Sequence, residues 1–131
     1  MDDYTDDPTI LNDADLWRRI PPYHFVSDPT AGGIRISSAA FEDHPNGTPM
    51  SVLLADVVAE TERGPQDALA GHESFGLAAF TAGLARSCEQ GVAREPLADE
   101  PAHAVVFGRK TKSVSRKLAK GSRWVVPPAN R

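Results

Sequence analysis

Cysteine is almost missing from this chain. The single Cys88 excludes an intramolecular disulfide and any cysteine-cluster metal site, and fits a reducing compartment. No stretch approaches the roughly twenty apolar residues of a membrane-spanning helix. Met1 to Tyr4 lacks the basic and apolar regions of a secretory signal, so the expected location is cytoplasmic, with no membrane association. H-E-x-x-H and G-x-S-x-G are also missing. Gly108-Arg-Lys-Thr-Lys-Ser113 ends like a phosphate-binding loop but lacks its first glycine and lysine register. The histidines stand at 24, 44, 72 and 103, never at close metal-ligand spacing, and no metal or cofactor is expected. No period suggests repeats.

What remains is a chain of 131 residues, enough for one domain with one core. Eleven prolines and ten glycines imply short elements joined by much loop. Charge is unevenly spread. Arg109, Lys110, Lys112, Arg116, Lys117, Lys120 and Arg123 fall in a segment without a carboxylate and make up half of the fourteen cations, so the rest of a chain of net charge −4 sums to −11. An acidic protein does not advertise non-specific nucleic-acid binding, but a basic face on it can take a phosphate or an acidic partner.

Residues 1–11, with Asp2, Asp3, Asp6 and Asp7, read as a disordered acidic tail able to lie over those cations, and residues 12–128 as a single domain. A helix is expected from an Asn12 cap through Leu16, Trp17 and Ile20, with Arg18 and Arg19 in its last turn and Pro21-Pro22 ending it. Tyr23 to Val26 and Ile34 to Ile36 suggest a hairpin, Ser37 to Phe41 a tight turn burying Phe41, and 42–49 a loop. The run from Met50 reads as a strand to Ala55, then a helical turn, and a short helical piece contains Ala68 and Leu69. Leu77, Phe80, Leu84 and Cys88 fall at helical spacing and predict a long helix over 74–90, stopped by Gly91.

Gly91 to Glu95 is expected to pair with a strand from His103 to Gly108. A Ser113-capped helix follows, with Val114 and Leu118 inward, Lys112, Arg116 and Lys120 in one exposed row, and Gly121 as its stop. Trp124 to Val126 closes the fold as a strand before Pro127-Pro128. The fold class is therefore α+β, a small single domain with a mixed or antiparallel sheet and the long helix 74–90 packed on it.

Three functions compete. The first is an accessory or binding module whose face over 109–123 engages an anionic partner: nucleic acid, a nucleotide-like ligand or an acidic protein surface. The second is a small hydrolase, phosphoesterase or nuclease using His103, at the mouth of its strand, with His44 or His72 and a carboxylate such as Glu42, Asp43 or Glu73. The third is a subunit of a larger assembly, docking a protein partner through the helix around Trp17. Against each stands a plainer role: a solvated lysine-rich helix face, a histidine capping a strand end, an ordinary polar turn at Glu42 to Pro45. Arg35, beside Ser37 and Ser38, is a further candidate for holding an anion.

Overall fold

In the computed structural model, which describes residues 4–31 and 33–128, a six-stranded antiparallel sheet is flanked by short helices, confirming the α+β class. The strands are β1 (Asp15–Ile20), β2 (Phe25–Asp28), β3 (Gly33–Ile36), β4 (Met50–Leu54), β5 (Gly76–Thr81), β6 (Gly91–Arg94), β7 (His103–Phe107) and β8 (Arg123–Val126). The helices are α1 (Ala55–Glu60), α2 (Ala82–Ser87) and α3 (Lys112–Lys120). The large sheet runs β6-β7-β4-β1-β5-β8, and β2-β3 forms a separate hairpin.

Two expected helices are corrected. Residues 15–20 are β1, which pairs with β4 on one side and β5 on the other. The long helix over 74–90 is β5 followed by the short α2, with Thr81 Oγ1 capping α2 by accepting from the Leu84 amide. In both places the cause is burial on two faces. Leu16, Ile20, Ala78 and Phe80 enter one core cluster, while Leu77 joins the cluster on the opposite face, against which Trp17 also packs. A strand covered on both sides loses its polar alternation, so its apolar spacing also fits a helix.

Arg18 and Arg19 are likewise not helix-end cations. Arg18 Nε donates to the Ala40 carbonyl at 3.0 Å and Nη1 to that of Ser51 at 2.7 Å, and Arg19 Nε donates to the Ala68 carbonyl at 2.7 Å. These bonds tie the 3₁₀ turns at Ala40 and Ala68 to the central strand, and Arg18 also bridges to the neighbouring β4 at Ser51.

The larger core lies under α2, α3 and the 3₁₀ turn Ser38–Phe41, with Phe41 meeting Phe80 edge to face at 5.8 Å. The smaller core joins Leu53 and Leu77 to Val58 of α1 and to Ala68 and Leu69. Where β4 continues directly into α1, the sequence reading of strand then helical turn holds. So do the β2-β3 and β6-β7 pairings.

Residues 4–11 differ from the expected disordered tail; Asp2 and Asp3 lie outside the described residues. The Asp7 amide donates to the Val92 carbonyl, the Val92 amide donates to Asp6 Oδ1, and Ile10 is buried. This segment covers the free edge of β6, and its carboxylates pair with Arg86 and Arg94 rather than with the basic segment.

Candidate anion-binding site

The site follows from the route the chain takes after β7. β7 lies second from one edge of the sheet and β8 forms the opposite edge, so α3 must cross the sheet between them. Gln90, buried between α2 and β6, fixes the departure point by donating from Nε2 to the Arg109 carbonyl at 2.9 Å. Thr111, two residues before the expected Ser113, caps α3 by accepting from the Val114 amide. Leu118 and Ser115 face inward, and Ser115 Oγ donates to the Phe41 carbonyl at 2.8 Å. Gly121 ends the helix as expected.

Because α3 ends over the far edge, its last turns stand beside β3 and β8. Between them lies a cavity of about 580 Å³ lined by Arg35, Ile36, Ser38, Arg116, Ala119, Lys120, Ser122, Arg123 and Trp124. Trp124 forms a fixed apolar wall. Its Nε1 donates to the Ile34 carbonyl at 3.0 Å, Phe25 meets it edge to face at 5.7 Å, and its ring lies on Gly76, where a side chain would collide with it.

Four cations reach this cavity. Arg35 pairs with Asp28 at 3.2 Å and Arg123 with Asp15 at 2.7 Å, whereas the side chains of Arg116 and Lys120 make no ion pair among the described residues. The C-terminal end of α3 brings partial negative charge to the same place, which these cations outweigh.

The expected basic face is thus divided. Arg116, Lys120 and Arg123 line the cavity; Arg109, Lys112 and Lys117 are exposed outside its lining. Lys110 is not a surface cation. With 3% of its side chain exposed, it pairs with Asp43 at 2.7 Å and donates to the Val106 carbonyl at 2.8 Å. Arg35 joins the cavity from a hairpin some eighty residues earlier in the chain, and Trp124, read only as a strand residue, forms its wall.

His103, His44 and His72 are dispersed. His103 Nδ1 lies 2.9 Å from the Glu95 carbonyl and Nε2 lies 3.1 Å from Ser51 Oγ. His44 accepts from the Asn46 amide within its own loop, and His72 packs beside Phe75, with Glu73 closing the neighbouring turn onto the Gly71 amide. Among the described residues no hydrogen bond or ring contact joins His103 to His44 or His72, and no group of three metal-ligating side chains assembles.

A second cavity of about 500 Å³ does gather His44 with Glu42 and Asp43, and adds Arg18, Tyr23 and His24. Burial pushes the Arg18 guanidinium down to about 10, against the pull of Asp43 and Tyr23. Burial, and then the charge of Arg18, hold His24 below the ordinary imidazole range. No helix among the described residues is long and apolar enough to cross a membrane. No family model, curated protein or solved structure matches the chain.

Proposed function

We propose that the protein is a small accessory or binding module that engages an anionic partner through the cavity between α3, β3 and β8. The observation that carries this reading is the convergence of Arg35, Arg116, Lys120 and Arg123 on one concave site walled by Trp124. Cations spread along a solvated helix repel one another and gain nothing from proximity. Four of them around a hollow create a local positive potential that a negatively charged group relieves. The hydrolytic alternative lacks comparable support, because His103 is engaged on both ring nitrogens by groups of its own sheet and loop.

Charge reversal tests the proposal. Replacing Arg116 and Lys120 together with Glu is expected to abolish binding of anions from a panel of phosphate, nucleotides and a labelled oligonucleotide. The same change at Arg109 and Lys117, outside the cavity, is expected to leave binding within about twofold, as screened surface charges do. Failure of every anion to bind at about 50 mM salt, where electrostatic binding is strong, would remove the proposal.

A further inference from the structure

We infer that the ligand of this cavity is a small organic phosphate: a dianionic phosphomonoester whose flat, apolar body lies against Trp124. The inference rests on the anion-binding reading above and narrows it.

Charge comes first. Two of the four cations already hold carboxylates, Arg35 with Asp28 and Arg123 with Asp15, while Arg116 and Lys120 carry two positive charges with no ion pair among the described residues. A phosphomonoester carries about −1.5 to −2 near neutral pH and matches that remainder. The paired arginines are half exposed, at 54% and 58% of their side chains, so their ion pairs are weakly held and either guanidinium can turn toward a phosphate. A guanidinium fork beside a lysine ammonium supplies both paired hydrogen bonds and a point charge.

Shape comes second. A nucleic acid needs cations spaced to follow successive phosphates. Here Lys110 is buried on Asp43, and Arg109, Lys112 and Lys117 lie outside the lining, so the cations define a pocket rather than a track. The net charge of −4 opposes long-range attraction of a polyanion as well. A volume of about 580 Å³ is that of a small-molecule site.

The wall comes third. Ile36, Ala119 and the Trp124 indole give the cavity an apolar side, and the indole is held by its bond to Ile34 and its contact with Phe25. A fixed aromatic face receives a flat ring at little entropic cost, while Ser38 offers a hydroxyl to its polar substituents and Ser122 Oγ, which donates to the Ala119 carbonyl at 2.7 Å, can still accept from them.

The chain has two tryptophans, so Trp17→Phe leaves Trp124 as the only indole and makes its fluorescence a direct report of the cavity. In that background the probes are phenyl phosphate, inorganic phosphate, the monoanionic phenyl sulfate and a single-stranded oligonucleotide. Phenyl phosphate is expected to bind about tenfold more tightly than either inorganic phosphate or phenyl sulfate, and Arg116→Ala or Lys120→Ala to weaken it by about tenfold each. Its affinity should also fall as pH drops through about 6, where the phosphate takes up its second proton.

Equal binding of phenyl sulfate, or indifference to both substitutions, overturns the inference. Oligonucleotide binding that depends on Arg116 and Lys120, without phenyl phosphate binding, overturns the ligand class and leaves the anion-binding module standing. Binding of no probe overturns both.

Discussion

Lys110 Nζ lies 2.7 Å from Asp43 Oδ1, which also accepts from the Met50 amide at 3.1 Å, so one ion pair joins the exit of β7 to the entrance of β4. The other six cations of the basic run are exposed; this one anchors the segment that carries them.

Replacing Lys110 with Met is therefore expected to cost stability and not binding. Removing one partner of a fully buried ion pair costs about 3–5 kcal/mol. Asp43 is one third exposed, and solvent screening reduces the expectation to about 1–3 kcal/mol. Chemical denaturation reads this loss. A Lys110→Met protein of unchanged midpoint but weakened anion binding would show the lysine to be a ligand group instead.

Gly76 gives a second prediction, since its Cα supports the Trp124 ring. In Gly76→Ala the added methyl would overlap the ring, which cannot withdraw freely while its Nε1 is bonded to Ile34. A loss of about 1–3 kcal/mol is expected, as overpacking generally brings. The displaced wall should also shift Trp124 fluorescence.

The core distinguishes strand from helix over residues 76–84. Phe80→Ala empties a fully buried position opposite Phe41 and is expected to cost about 3–5 kcal/mol. Leu84 is only half-buried beside Gly121, so Leu84→Ala should cost clearly less. A long helix packed through Leu77, Phe80 and Leu84 would make the two losses similar.

Acid should destabilise the protein in two stages. Burial, and then the charge of Arg18, disfavour protonation of His24 in the folded state, so as pH falls through the ordinary imidazole value near 6.5 the unfolded chain takes up a proton more readily than the native state, and stability drops. His24→Asn should flatten that stage. The second concerns Glu100, held below the ordinary carboxyl range chiefly by two hydrogen bonds from Arg63, at 2.9 and 2.6 Å. Its contribution is present above the unfolded carboxyl pKa and is lost as pH falls through the lower folded value. Glu100→Gln is expected to cost about 1 kcal/mol at neutral pH, after allowing for solvent screening, and close to nothing at the acid limit. Denaturation midpoints across pH measure both stages.

His103 yields a spectroscopic expectation. The Glu95 carbonyl can only accept, so the proton of the neutral ring belongs on Nδ1 and Nε2 is left to accept from the Ser51 hydroxyl. Long-range ¹H–¹⁵N NMR should find the Nδ1–H tautomer. An Nε2–H tautomer would mean that these bonds do not form in solution.

The elements legible in the sequence are those whose signal is local. The β2-β3 hairpin alternates Ile34 and Ile36 with exposed partners, α3 carries its own cap and glycine stop, and the β6-β7 pair is close in the chain. The basic run was likewise visible as composition. β1 and β5 were not legible, because central strands buried on both faces by α2, α3, α1 and the neighbouring loops show no polar alternation. The sequence by itself determined a small, loop-rich α+β domain with a cationic segment before its last strand. Only the tertiary structure decided which of those cations act together. The sheet order sends α3 across to the far edge, where Arg116, Lys120 and Arg123 meet Arg35 and Trp124, while Lys110 is left behind and buried on Asp43.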